Sequence, residues 1–207
     1  MSQKKGHFIV FEGLDGSGKS TQIKLFSEYL KSTGIENVVT CEPTSSDIGK
    51  MIRQMLSGNE KINSKTAALL FAADRIEHIT AKDGMAELIN KGVTVLCDRY
   101  YFSSYAYQMA DMPLSWVIKI NEMAKELLKP DLHIFVDLSP KDCMDRILKN
   151  RITTDIFENT ERLTKVKNNF LEIFKEVGDS ENILVVDGNR KPEEILDEIK
   201  EKTKYLF

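Results

Sequence analysis

Residues 11–21, FEGLDGSGKST, place three glycines, a lysine and a Ser-Thr pair directly after the apolar run HFIV. The spacing of Gly13, Gly18, Lys19 and Ser20 fits G-x-x-x-x-G-K-[ST], a loop whose backbone N–H groups wrap the phosphates of a nucleotide. Only a chain without Cβ turns that tightly and comes that close to phosphate oxygens. Gly13, Asp15, Gly16, Ser17, Gly18, Lys19, Ser20 and Thr21 are therefore candidate nucleotide-binding residues. Lys19 adds a point charge at the β/γ-phosphates and Ser20 a hydroxyl ligand for Mg²⁺. A helix beginning after Gly18 aims its positive end at the same anion. The plainer alternative is a glycine-rich turn, but the pattern arises by chance in only on the order of one in a hundred chains of this length. The following QIKLFSEYLKSTG also carries Ile23, Phe26, Tyr29 and Leu30 at helical spacing.

A second stretch, VTVLCDRYYFSSYAYQ, ends an apolar run on Asp98 and continues at once with Arg99. That pair sets a carboxylate for Mg²⁺ or an acceptor oxygen beside a fork for phosphate, and a strand-terminating ion pair is the ordinary alternative. No N-K-x-D stands ready for a guanine base, and the D-x-x-G from Asp15 to Gly18 lies inside the phosphate loop. A polar segment, residues 146–160 (RILKNRITTDIFENT), follows a helical pattern and reads either as a lid over the phosphates or as a solvated loop.

These residues need elements to hold them. Apolar runs at 7–13, 37–43, 93–98, 131–137 and 182–188 end in an acid or a turn and read as strands buried on both faces. Helical patterns alternate with them, at 46–58, 64–92, 116–129 and 191–206 among others. The alternation predicts an α/β sandwich around a parallel sheet of about five strands, with ligands beyond their carboxyl ends. Asp15, Glu42, Asp98, Asp137 and Asp187 then share one rim. A chain of 207 residues with 42% hydrophobic content has room for one sizeable core. Its 29 Lys+Arg against 32 Asp+Glu are dispersed, which disfavours a polymeric nucleic-acid partner. MSQKKGHF lacks a signal-peptide core and no run approaches the ~20 residues of a membrane span, so a cytoplasmic protein without a membrane partner is expected. Cys41, Cys97 and Cys143 show no metal spacing and read as buried free thiols. His7, His78 and His133 read as structural or surface residues.

Together these motifs resemble the thymidylate kinase family, over residues 7 to about 190. FEGLDGSGKST is similar to its phosphate loop, EPTSSDIGKMIRQML to its second strand and following helix, LLFAADRIEH to its base-binding helix, DRYYFSSYAYQ to its acceptor segment and LKPDLHIFVDLSP to its fourth strand. The joint spacing of LFAADR and DRYxxSSxAYQ is far more specific than the loop alone. The resemblance implies a P-loop NTPase-type three-layer α/β sandwich, one nucleoside monophosphate kinase domain over 1–207 with a short lid at about 146–160, usually in a homodimer. It implies γ-phosphoryl transfer from ATP, with Mg²⁺, to dTMP, giving dTDP for dTTP biosynthesis. By the same resemblance dTMP is held by Asp15, Arg53, Phe71, Arg75, Arg99, Ser104, Tyr107 and Gln108. Phe71 and Arg75, four apart on a helix, offer a ring to stack on thymine and a fork for its O4. Ser104 and Gln108 complete the base contacts, Tyr107 crowds the sugar 2′ position, Arg53 and Arg99 hold the acceptor phosphate, and Asp15 receives the 3′-hydroxyl. Ser20 and Asp98 serve the metal, and Lys19, Asp98 and Arg99 the chemistry.

The chain departs from the family pattern in the phosphate loop, in the lid and in the turn after Pro43. Gly16 occupies a place where some members carry arginine, so the charge on the transferred phosphoryl is expected from the lid, with Arg151 first, Arg146 second and Lys149 also at hand. Asp155-Ile156-Phe157-Glu158 lacks the arginine of an acid-Arg-aromatic-Glu element. Thr44-Ser45-Ser46 stands where many members have glycines or an arginine, which leaves the path of that turn open. The rival readings are a kinase of another small acceptor and a non-catalytic nucleotide-binding switch. A deoxynucleoside kinase is disfavoured by two phosphate-holding arginines and by Asp98-Arg99-Tyr100 in place of Glu-Arg-Ser.

Overall fold

In the computed structural model, residues 5–58, 62–150 and 156–207 are described. Five strands, β1 (Phe8–Glu12), β2 (Asn37–Cys41), β3 (Thr94–Asp98), β4 (Leu132–Asp137) and β5 (Ile183–Asp187), form one parallel sheet in the order β2-β3-β1-β4-β5. Parallel pairing requires a crossover between neighbours, and helices supply it. They are α1 (Lys19–Ser32), α2 (Asp47–Leu56), α3 (Ser64–Thr80), α4 (Met85–Asn90), α5 (Tyr101–Gln108), α6 (Leu114–Leu127), α7 (Pro140–Asn150), α8 (Ile156–Val177) and α9 (Pro192–Thr203).

The side chains of the central strands alternate between two cores. Phe8, Val10, Val95, Cys97 and Phe135 join the larger core beneath α3 to α8, while Ile9, Phe11, Leu96, Ile134 and Val136 join the core beneath α1 and α9. Helices on both faces explain why β1, β3 and β4 are continuous apolar runs rather than alternating ones. The expectation that every strand is buried on both faces fails at the sheet's edges. Val39 on β2 and Val185 on β5 are about half exposed, because each edge strand has a neighbour on one side only.

Three further readings are corrected or refined. The helical stretch 64–92 is two helices, broken at Ala81–Gly84, where Asp83 adopts a left-handed φ of 57°. Cys97 and Cys143 are buried, but Cys41 is exposed because it ends the edge strand β2. The segment 146–160 is helical wherever it is described: α7 covers 146–150, α8 starts at Ile156, and Arg151 lies outside the described residues. His133 is fully buried on β4, its ring 4.2 Å from that of Phe102 and its Nε2 3.2 Å from the Tyr101 hydroxyl. Among the described residues no helix is long and apolar enough to cross a membrane.

The parallel arrangement brings Glu12, Cys41, Asp98, Asp137 and Asp187 to one edge of the sheet. With β1 at the centre, the loop after it is flanked by the β3 end on one side and by the β4 and β5 ends on the other.

Candidate active site

The loop from Gly13 to Gly18 leaves β1 through backbone that side chains resist. Gly13 has φ 142° and Gly16 φ 79°; a Cβ on the first would lie 2.8 Å from Val136 O, and on the second 2.6 Å from Cys143 O. At Gly16 it is therefore α7, packed on the loop through Cys143 and Ile147, that fills the room a side chain would need. Gly18 caps α1 in a left-handed conformation. The Lys19 ammonium, buried, donates to the carbonyls of Gly13 (3.1 Å) and Leu14 (2.9 Å). Burial, then the charge of Arg99, push its pKa down to about 8. The Ser17 hydroxyl is buried with no hydrogen-bond partner among the described residues. Ser20 and Thr21 are exposed on the first turn of α1.

On the β3 side, Ser20 Oγ donates to Asp98 Oδ2 at 3.3 Å, while Asp98 Oδ1 is buried with no hydrogen-bond partner among the described residues. An orphaned carboxylate oxygen beside a hydroxyl is a donor set for a hard cation that keeps most of its own water. Arg99, next in the chain, has φ 71°, a conformation that costs a non-glycine residue about 1–2 kcal/mol. Its Nη1 donates to Ser103 Oγ (2.9 Å) and its Nη2 to Asp15 Oδ1 (2.7 Å) and to the Tyr107 hydroxyl (3.2 Å), with the guanidinium over the Tyr107 ring at 4.9 Å. The Tyr107 hydroxyl in turn donates to Asp15 Oδ2. Burial raises the Asp15 pKa, but Arg99 and Lys19 outweigh it and hold the carboxyl below its usual range.

Farther out on this side, α3 packs against α2, α5 and α6. Arg75 is 1% exposed, and its fork is mostly engaged: Nε and Nη2 meet Glu42 Oε2 (2.8 and 2.7 Å), Nη2 reaches Ser104 Oγ (3.2 Å) and Nη1 donates to Asn121 Oδ1. Of its five N–H groups, one on Nη1 has no partner among the described residues. Phe71 is half-buried and belongs to neither core, so its ring is available to a planar partner. Gln108 Oε1 is buried with no hydrogen-bond partner among the described residues. Arg53 donates to the carbonyls of Pro43 and Thr44. The Thr44–Ser46 turn is held by Asp74, which accepts from Thr44 N (2.7 Å), Thr44 Oγ1 (2.6 Å) and Ser46 Oγ (2.9 Å). On the opposite side, Arg146 donates to Ser17 O (3.1 Å) and to Gly188 O just beyond β5 (2.9 Å).

Sequence reasoning passed over Glu12, Asp74 and Asn121, all buried. For Glu12 a signal existed: a carboxylate ending the first apolar run, one residue before the loop. It accepts from Tyr100 N (3.0 Å), Ser103 N (3.2 Å) and Ser103 Oγ (2.5 Å). Burial raises its pKa from the ordinary 4.5 to about 7, against the lowering effects of Ser103, Arg99 and the Tyr100 N–H. Its charge also acts on the Lys19 ammonium. A carboxyl whose folded pKa is raised binds its proton more tightly in the folded state. Its stabilising contribution is full below about pH 4.5 and is lost as pH rises to about 7. We expect Glu12→Gln, which abolishes this titration, to gain thermal stability relative to the unsubstituted protein between pH 5 and pH 8, by on the order of 3 kcal/mol. Thermal melts at the two pH values check this; parallel curves would show that Glu12 does not titrate there.

The model for "Thymidylate kinase" matches residues 11–199. A probable thymidylate kinase of Pyrococcus horikoshii is 41% identical over 175 residues, covering 82% of this chain and 83% of the relative. One from Methanococcus aeolicus is 40% identical over 199 residues, 94% of each. A thymidylate kinase of Caldicellulosiruptor saccharolyticus is 38% identical over 209 residues, 96% of this chain and 99% of the relative.

Proposed function

Because the chain belongs to the thymidylate kinase family, whose general reaction moves the γ-phosphoryl of ATP onto dTMP, we propose that the β3 side of the loop takes dTMP and the β4–β5 side takes ATP. The chain is a phosphotransferase using ATP and dTMP. The observation that carries the assignment of its residues is the Asp15–Arg99–Tyr107 cluster. It sets a phosphate-binding fork, a ring and a hydroxyl-accepting carboxylate within one hydrogen-bonded group beside the nucleotide loop.

Transfer between two bound phosphates depends on position and neutralised charge. The loop N–H groups and Lys19 hold the β- and γ-phosphates of ATP, and Arg99, with Arg53 swung from the Pro43–Thr44 carbonyls, holds the phosphate of dTMP. Asp15 takes the 3′-hydroxyl, and the Tyr107 ring fills the space a 2′-hydroxyl would need. Phe71 stacks on thymine while the remaining N–H of Arg75 and the groups of Ser104 and Gln108 meet its edge. Ser20 and Asp98 would hold Mg²⁺, which would supply positive charge to offset that of the phosphates. Residues 1–207 act as one domain whose lid spans about 146–160.

We place the enzyme in the cytoplasm as a homodimer without a polymeric nucleic-acid or membrane partner. Leu69 on α3 and Met123 and Leu127 on α6 are each about half exposed on two helices that pack together, and a second copy covering that face would bury them.

The test is a panel of nucleoside monophosphates with ATP, read as ADP formed. We expect dTMP above dUMP, by the ~1–3 kcal/mol that a buried methyl supplies, with UMP and dAMP far below because a 2′-hydroxyl and a purine meet steric walls. Equal turnover of UMP and dTMP would remove the assignment, and no ADP with any acceptor would favour a nucleotide-binding switch.

A further inference from the structure

Glu12 contacts no open part of the site. It is fully buried at the end of β1, one residue before the phosphate loop, yet all three of its hydrogen bonds go to the start of α5. We propose that Glu12 is a positioning residue for the acceptor phosphate, fixing the Arg99 fork through Ser103.

Two links carry this. The first is in the backbone. Arg99 N donates to Phe11 O (2.9 Å) as β3 runs alongside β1, and the chain then turns through the left-handed Arg99 into α5. The N-cap of α5 is Tyr100, whose side chain makes no capping bond. The Glu12 carboxylate substitutes for it, accepting the N–H of Tyr100 and of Ser103, the third helical residue, which a capping side chain ordinarily serves. An unusual backbone conformation at a phosphate-binding arginine persists only where its surroundings enforce it. Glu12 and the Phe11 carbonyl hold the two sides of that turn.

The second link is a directed chain of hydrogen bonds. Ser103 has a single hydroxyl proton. With that proton given to Glu12 Oε2 at 2.5 Å, the lone pairs of Ser103 Oγ face Arg99 Nη1 at 2.9 Å. The ionised carboxylate thus sets the polarity of the hydroxyl, and the hydroxyl sets one arm of the fork. The other arm rests on Asp15 and Tyr107. In Glu12→Gln the side-chain oxygen still accepts the two backbone N–H groups, but an NH₂ faces Ser103. Ser103 Oγ then sits between two donors and its proton loses its acceptor, so the arm held by Ser103 is released while the backbone turn survives.

The proposal rests on the assignment of Arg99 to the acceptor phosphate, and the experiment separates the two. The affinities of dTMP and of thymidine are measured at pH 8 by calorimetry for the unsubstituted chain and for Glu12→Gln, Ser103→Ala, their double variant and Arg99→Ala. The dTMP-to-thymidine ratio reports the phosphate contact alone. Glu12→Gln and Ser103→Ala should each lower it about tenfold with thymidine and ATP affinities unchanged, and the double variant should lower it no further than either single one. Equal losses for dTMP and thymidine would overturn the proposal, since a mere capping role loosens all of α5, including Ser104, Tyr107 and Gln108. An unchanged ratio in Glu12→Gln with a collapsed ratio in Arg99→Ala would overturn it and leave the site assignment standing. An unchanged ratio in Arg99→Ala would overturn both. Should Glu12→Gln fail to fold, Ser103→Ala decides by the same readout, because it leaves the two backbone bonds to Glu12 in place.

Discussion

Lys19→Met should lower kcat by about 10²–10³ while leaving dTMP affinity within severalfold. Methionine is unbranched and of similar length, so it fills the same space under the loop without the charge. In the structure the ammonium is buried and donates to the carbonyls of Gly13 and Leu14. Its lowered pKa, near 8, records the cost of holding a cation there beside Arg99. A γ-phosphate arriving over the loop supplies the counter-charge, and the demand for it grows as charge spreads over the equatorial oxygens during transfer. The loss should therefore fall on kcat and kcat/KM together. Steady-state kinetics with both substrates varied, plus dTMP titration without ATP, checks the split. A kcat within threefold of the unsubstituted enzyme would mean that Lys19 does not face the transferred group.

Arg99 and Lys19 hold different stations at the loop. Arg99 stands on the β3 side, already hydrogen-bonded to the groups that would share a nucleotide with it. Lys19 stands beneath the loop itself. Their mutual repulsion contributes to the lowered Lys19 pKa and is tolerable because Asp15, Asp98 and Glu12 lie around them.

What was legible in the sequence was whatever depends on neighbours along the chain. The inner strands β1, β3 and β4 could be read because a parallel strand covered on both faces is an uninterrupted apolar run, and the loop because its glycines answer a local backbone demand. Which strands lie at the edge could not be read. NVVTC and ILVVD look like TVLCD, and their half-exposure follows from the crossover order. The row Leu163, Val166, Phe170 and Ile173 marks α8 at helical spacing, but the polar segment before it masks where that helix begins. The path of Thr44-Ser45-Ser46 stayed open because its anchor, Asp74, comes from a helix 28 to 30 residues later. Likewise Arg75 reads as a free donor fork in a linear sequence, and only folding shows Glu42 and Asn121 taking most of it. Buried polar residues are defined by their partners, and these partners are distant in the chain.

At the lid, sequence and structure bear on each other most directly. Gly16 brings no charge to the transferred phosphoryl, and α7 packs on the loop at that point through Cys143 and Ile147. Arg151, the first candidate from the sequence, follows Asn150, where α7 ends, and lies outside the described residues. Arg146 is bonded to Ser17 O and Gly188 O on the β5 side, where ATP rather than dTMP would meet it. Lys149 is exposed. Arginine fingers in phosphoryl transfer are worth ~10³–10⁵ in rate. Arg151→Ala should therefore lose at least about a hundredfold in kcat with both dissociation constants within severalfold, a figure discounted because Arg146 is the second candidate for the same charge. Arg146→Ala should instead weaken ATP binding with the smaller effect on kcat. Single-turnover kinetics at saturating ATP and dTMP measures the chemical step directly. Near-normal rates in both variants would show that the charge on the transferred phosphoryl does not come from this segment.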